Sequence, residues 1–301
     1  MNQFTIRDIE NLCGIKAHTL RAWEQRFHIS CAKRKTSNHR IYDCEDLKEL
    51  LRISFLYHKG YKISQIACLR KEAISKVVQE TSIDPACSEL FIHRLVESAI
   101  DLDQEQFDKI LHTAILRLGM EKSILEVFCP FLERIGCLWM TNHVIPAQEH
   151  FSSALIQKKI IAAIDGLGIV NNCSFNIGVF ALPGEYHEIP LLAANYFFRS
   201  NGIRTTYFGV NVSPETLLYY HRGSPLTHLY SHVITNFTGM QLPQFAEELC
   251  LQFPETQLLM SGYGVKDLTI RSANFKLLRS PQDVIGFAKN LQHKKAYLGT
   301  T

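Results

Sequence analysis

From residue 174 onward, short apolar runs alternate with amphipathic ones in five successive units, and this alternation constrains the fold more than any other feature of the chain. The apolar runs fall at 175–182, 205–208, 229–235, 257–260 and 275–278; helix-like stretches follow at 191–200, 214–221, 242–252, 266–272 and 281–291. A strand joined to the next by a crossover helix pairs with it in parallel, so five such units predict a flavodoxin-like (Rossmann-like) five-stranded parallel sheet with helices on both faces. Open sheets of this kind bind ligands just outside the carboxyl ends of their strands. The loops predicted there carry Gly184, Glu185 and His187 after the first strand, Thr235 and Asn236 after the third, and Ser261 and Gly262 after the fourth. Glycine lets a ligand approach the backbone closely, and a neutral imidazole is a good ligand for a transition metal.

A chain of 301 residues suits two or three units with cores of their own. No stretch reaches about 18 uninterrupted apolar residues and the amino terminus is polar, so a cytoplasmic protein with no membrane segment is expected. Nine scattered cysteines without a Cys-x-x-Cys spacing argue against a disulfide framework or a zinc ribbon. The net charge of +3 is unevenly placed. Residues 1–80 hold 15 Lys+Arg against 9 Asp+Glu, a net of +6, and the remainder is slightly acidic. A polyanion-binding head on a body of different purpose follows from that asymmetry.

The head reads as two short helices. Thr5-Ile6-Arg7-Asp8 forms a capping box with Asp in place of Glu, and Ile6, Ile9 and Leu12 recur at helical spacing until Gly14. A second helix over 17–26 turns Leu20 and Trp23 inward and leaves Thr19, Arg21, Glu24 and Arg26 on or near its outer face. A basic stretch with Lys33, Arg34, Lys35, His39 and Arg40, ending in Ile41 and Tyr42, suits a hairpin wing that meets phosphates while the second helix reaches base edges. Ile6-Arg7-Asp8-Ile9, Thr19-Leu20-Arg21-Ala22-Trp23-Glu24-Gln25-Arg26-Phe27, His39-Arg40-Ile41-Tyr42 and Gly60-Tyr61-Lys62-Ile63 resemble the DNA-binding domain of the MerR family of regulators. The resemblance implies double-stranded DNA as partner. It places Thr19, Arg21 and Arg26 on a recognition helix, and Arg34, His39, Arg40 and Tyr42 on the wing. The apolar positions after Ile63 fall short of the three or four heptads of a long dimerisation helix, so homo-oligomer contacts, dimeric or tetrameric, are expected in the body.

Between about 88 and 168 the chain reads as four or five helices without a strand, the third over 123–138 punctuated by Pro130 and Gly136, and the last opening after Pro146. Trp139, Glu149 and His150 form a Trp-x9-Glu-His pattern at the opening of that last helix. The pattern resembles the helical cap over the upper face of cobalamin in cobalamin-binding photoreceptor regulators, themselves MerR proteins. Gly184-Glu185-Tyr186-His187 is similar to the Asp-x-His-x-x-Gly cobalamin signature in its Glu-x-His form. By that resemblance His187 is the lower axial ligand to cobalt, Glu185 orients its ring or the bound nucleotide tail, and Thr235, Asn236, Ser261 and Gly262 lie about that tail. The chain departs from the pattern at Pro190, where the signature has Gly, and at Met140, where light-sensing members carry a histidine. Three domains are therefore expected: a winged helix-turn-helix head over 1–80, a helical-bundle cap over 88–170 and the Rossmann-like domain over 173–293. The expected function is that of a sequence-specific transcriptional regulator, a repressor, whose DNA affinity is set by cobalamin, adenosylcobalamin in the first place, with light as a further input. A second reading keeps the DNA-binding head and makes the cobalamin module a scaffold for oligomerisation or protein interaction. An enzyme of corrinoid methyl transfer is not expected, because nothing in the chain supplies a substrate domain.

Overall fold

Thr5 opens the first helix as its sequence requires. Its hydroxyl accepts from the Asp8 N–H at 3.4 Å while the Asp8 carboxylate accepts from the Thr5 N–H at 2.6 Å, so two otherwise orphaned donors are satisfied at once. Helix α1 (Ile6–Cys13) then ends at Gly14, whose φ of 66° is the left-handed conformation that a Cβ would oppose. In the computed structural model the described residues are 3–29, 32–34, 40–81, 88–140, 146–170, 174–234 and 241–298. They fall into two compact units, Met1–Ile156 and Gln157–Thr301.

The first unit begins with strand β1 (Phe4–Thr5), α1, α2 (Ala17–Phe27), β2 (Lys33–Arg34) and β3 (Arg40–Tyr42). The three strands form a small antiparallel sheet in the order β1-β3-β2, which is the expected wing. Helices α3 (Cys44–His58), α4 (Ile63–Ala67) and α5 (Lys71–Thr81) follow. At 11 residues, α5 is as short as its few apolar positions predict, and it packs on α3. Trp23 of α2 is buried and meets Tyr57 of α3 edge to face, with ring centroids 4.9 Å apart; such a pair adds about 0.5–1.5 kcal/mol to its burial.

The same unit continues through α6 (Ser88–Asp101), α7 (Gln104–Leu118), α8 (Met120–Ser123), α9 (Cys129–Met140) and the first half of α10 (Pro146–Asp165). The expected third helix is longer than its 123–138 span. It runs from Met120 to Met140 without a break, and Pro130 does not punctuate it, because a π turn at Ile124–Phe128 precedes the proline. A proline ring crowds the carbonyl four residues back and supplies no N–H, and the widened turn accommodates both effects. Phe107, Phe131 and Phe151 form an aromatic centre for this layer, with centroids 5.6 and 5.5 Å from Phe107.

The second unit is the parallel sheet. Its strands are β4 (Asn176–Phe180), β5 (Arg204–Gly209), β6 (His228–His232), β7 (Gln257–Ser261) and β8 (Phe275–Leu278), paired in parallel in the order β5-β4-β6-β7-β8. Helices α11 (Ile189–Ser200), α12 (Pro214–Gly223), α13 (Leu242–Gln252) and α14 (Pro281–Leu298) connect and flank them. Every residue of β4 is buried, as a central strand covered on both faces demands. One element departs from expectation. Residues 266–272 are not helical; a single 3-10 turn at Tyr263–Val265 and an irregular segment make the last crossover. Packing decides this. A Cβ on Gly262 would collide with the Val233 carbonyl, and one on Gly264 would lie 2.9 Å from Val233 Cγ1, so this loop is pressed against the end of β6.

Candidate cofactor site and nucleic-acid interface

The order β5-β4-β6 reverses direction at β4, so the crevice beyond the carboxyl ends of β4 and β6 is the switch point at which sheets of this type take ligands. The loop after β4 is shaped by a tight turn. Pro183 and Gly184 are its central residues, Gly184 has φ 81°, and the Glu185 N–H donates to the Leu182 carbonyl at 3.0 Å. Proline then glycine with positive φ is the sequence of a type II turn. A second clamp comes from the loop after β5, where Asn211 holds φ 57° and its Oδ1 accepts from the Gly184 N–H at 2.9 Å. Sequence reasoning missed Asn211 as a positioning residue, although an Asn two residues past a strand end is a fair signal for a left-handed position.

These turns aim Glu185 into the crevice. Its side chain is 3 % exposed, and both oxygens are engaged. Oε1 accepts from the His187 N–H at 3.0 Å and lies 2.5 Å from His187 Nδ1, while Oε2 accepts from the Ile234 N–H at 2.9 Å. The carboxylate therefore joins the loop after β4 to the segment after β6, across the switch point. An ionised carboxylate only accepts, so Nδ1 carries the proton and Nε2 keeps its lone pair. This is the tautomer that a metal-ligating histidine with a carboxylate behind it adopts. The His187 side chain is 46 % exposed, so a large planar group can approach it. Pro190 stands in the first turn of α11, where a missing N–H leaves no helical bond unmade.

Deeper in the same crevice, Ser261 Oγ lies 2.7 Å from the Tyr230 phenol oxygen and 2.8 Å from His232 Nδ1. Burial holds His232 well below the ordinary histidine range, at about 4; the charge of His187 adds to the depression and that of Glu185 opposes it. His232 is thus a neutral imidazole near Glu185 and His187, and nothing in its surroundings in the sequence had singled it out. Gly262 follows with φ 103°, a position closed to other residues both by its backbone and by the adjacent Val233 carbonyl. Thr235 and Asn236 lie outside the described residues.

The cap residues belong to the first unit. Gln148 Nε2 donates to the Ile100 carbonyl at 2.7 Å and Ser152 Oγ donates to the Gln148 carbonyl at 2.8 Å, which pins the start of α10 to α6. Glu149 is half-buried and His150 exposed. Glu149 accepts from Ser153 Oγ at 2.6 Å and lies 3.1 Å from His150 Nδ1. Trp139 and Met140 are in the last turn of α9; their side chains lie outside the described residues. Among the described residues there is no cluster of three or more His, Cys, Asp or Glu fit to hold a bare metal ion.

On the head, Arg21 and Arg26 of α2 are exposed and Thr19 is half-buried. Arg40 is directed inward, its Nε donating to Glu24 Oε2 at 2.6 Å, so wing and second helix are tied together by an ion pair. Tyr42 departs from its expected place on the wing surface. It is 2 % exposed and stands opposite Phe4 in the register of β1 and β3, and burial raises its phenol to about 12. Alternation along β3 turns it into the core of the head. The Arg34 side chain and His39 lie outside the described residues.

Residues 4–72 match the MerR HTH family regulatory protein family, and residues 91–163 match the B12 binding domain family. The chain thus carries a MerR-type DNA-binding head and a B12-binding domain. The HTH-type transcriptional repressor CarH of Myxococcus xanthus is 25 % identical over 221 residues, 71 % of this chain and 73 % of that protein. The HTH-type transcriptional repressor CarA of the same organism is 25 % identical over 272 residues, 87 % of each chain. The solved structure of the Methanosarcina barkeri monomethylamine corrinoid protein covers 68 % of this chain and 100 % of its own, at 12 % identity and a TM-score of 0.53, a likeness of fold. No helix among the described residues is long and apolar enough to cross a membrane.

Proposed function

We propose that this regulator is a transcriptional repressor whose affinity for DNA is set by cobalamin bound at the switch point of its sheet. The observation that carries the reading is the Glu185–His187 pair at the switch point, in a chain whose first 72 residues include the MerR match. His187 fits the part of lower axial ligand. Its Nδ1 faces the buried Glu185 carboxylate, the arrangement that fixes the tautomer of a metal-ligating histidine. Cobalamin brings a cobalt ion with four ring nitrogens already in place, so one protein ligand suffices and no cluster of side chains is needed. Ser261 and Gly262, together with Thr235 and Asn236, would meet the nucleotide tail. Trp139, Glu149 and His150 belong to the same proposed set of cofactor-binding residues. On the head, Thr19, Arg21, Arg26, Arg34, His39 and Arg40 would meet DNA. Domain limits of 1–80, 88–170 and 173–293, adenosylcobalamin as the bound form, a dimer or tetramer as the assembly, cytoplasmic location and a response to light belong to the same proposal.

The test is DNA retention by the full chain on its own promoter region, with and without adenosylcobalamin, in the dark and after illumination, with oligomeric state followed by size-exclusion chromatography. Cobalamin-dependent retention supports the reading; retention indifferent to cobalamin contradicts it. A second reading, a cobalamin module turned scaffold, draws on His232. An ideal Cβ on Gly262 would lie 2.9 Å from its Nε2, so the imidazole occupies space beside the loop that a tail would need. A chain that binds DNA but stays colourless after reconstitution would favour that alternative.

A further inference from the structure

Within the first unit, the DNA-binding head is fastened to the helical layer by ion pairs. Lys48 of α3 reaches both oxygens of Asp101 at 2.7 and 2.8 Å, and Arg52 of α3 pairs bidentately with Glu97 of α6 at 3.2 and 2.9 Å. Beside the second pair the seam opens into a cavity of about 400 Å³, bounded by α3, α5, α6 and the start of α7. That volume lies within the range of small-molecule sites, roughly 300–1,000 Å³. Its lining includes the apolar side chains of Leu51, Phe55, Val78 and Leu90. It also includes Arg52, His93, Arg94, Glu97, Ser98 and Gln106.

The charges of that lining do not balance. Arg52 is neutralised by Glu97. Arg94 is half-buried, and its guanidinium has no hydrogen-bond partner or ion pair among the described residues. Burial depresses its charged form, Glu97 opposes that, and Arg117 adds to it. His93, 5 % exposed, is held neutral by burial, and its Nδ1 has no partner among the described residues. A guanidinium that has lost water without gaining an anion is costly, and a ligand carboxylate is the group that relieves it in bidentate fashion.

We propose that this seam cavity is a second ligand site, separate from the corrinoid crevice, which takes a small organic monocarboxylate with its apolar body against Leu51, Phe55, Val78 and Leu90 and its carboxylate on Arg94. One unbalanced cation selects a monoanion, and the apolar lining selects a body of carbon rather than a phosphate. Because the site lies between helix α3 of the head and helix α6 of the layer, its occupant strengthens the seam.

The experiment uses the full chain with benzoate and octanoate as probes and inorganic phosphate as competitor, followed by ligand-observed NMR and by the thermal midpoint. Expected are saturable binding of at least one carboxylate and a loss of tenfold or more in affinity in Arg94→Gln. Arg94→Lys retains part of the binding, Val78→Phe, which fills the cavity, abolishes it, and phosphate does not compete. His187→Ala leaves carboxylate binding unchanged, which separates this proposal from the cobalamin reading. Absence of saturable binding by both carboxylates, equal affinity in Arg94→Gln and Val78→Phe, or displacement by phosphate would overturn it.

Discussion

Replacing Glu185 by Gln perturbs the site with almost no change of shape, and the cost follows from its three hydrogen bonds. The carboxylate accepts two N–H groups of His187 on one oxygen and the Ile234 N–H on the other, while almost wholly buried. An amide can keep its oxygen toward His187 only by turning its NH2 against the Ile234 N–H. One charge-assisted bond, worth about 1.5–3 kcal/mol, is then replaced by two opposed donors, and the remaining two bonds weaken because their acceptor is neutral. Allowing for some relaxation of the loop, a loss of about 3 kcal/mol in the stability of the second unit is expected. With a urea dependence of about 2 kcal/mol/M, that is a midpoint lower by roughly 1.5 M. Cobalamin affinity should fall about 10- to 100-fold, since the partner that orients a metal-ligating histidine is lost. Urea titration followed by circular dichroism gives the first quantity and absorbance titration with adenosylcobalamin the second. A Glu185→Gln protein with the midpoint and affinity of the parent would refute the claim that this carboxylate sets the tautomer and the loop.

Gly262→Ala places a Cβ against the Val233 carbonyl at a φ of 103°; a loss of about 3 kcal/mol is expected in the same urea titration, and an unchanged midpoint would show that the loop can withdraw from β6. His93 is held at about 4 in the folded chain, by burial first, with Glu89 opposing and Arg134 and His58 adding. The unfolded chain binds this proton near pH 6.5 and the folded chain does not, so His93 lowers stability as pH falls from about 6.5 toward 4. Between pH 7 and 5 its share is about 2 kcal/mol, and His93→Phe should reduce the pH dependence of the urea midpoint by roughly 1 M at about 2 kcal/mol/M. In DNA titrations at varied salt, Arg21→Ala should lower the logarithmic salt slope by about 1, whereas Tyr42→Phe, whose ring is buried, should leave it unchanged; equal effects would place Tyr42 at the DNA.

Much of this architecture was legible in the sequence because it is local. The capping box at Thr5, the strand and helix alternation after residue 174, and the position of Glu185 and His187 at a strand end follow from period and turn chemistry within a few residues. What was not legible depends on partners far along the chain. Whether Tyr42 faces DNA or the core depends on its pairing with Phe4, 38 positions away in number. The helix expected over 266–272 is displaced by the packing of Gly262 and Gly264 on Val233, and the pairing of Arg52 with Glu97 spans 45 positions. The same holds for His232, whose neutrality arises from burial that the sequence around it does not announce.

The central claim is that His187 Nε2 is the lower ligand to cobalt. Electron paramagnetic resonance of the chain reconstituted with cob(II)alamin tests it directly, because the unpaired electron on Co(II) couples to the axial nitrogen nucleus. With histidine labelled by nitrogen-15, each cobalt line should change from a triplet to a doublet, and His187→Ala should abolish that change. A triplet that persists in the labelled protein would mean that the axial nitrogen comes from the cofactor's own base, and would contradict the account.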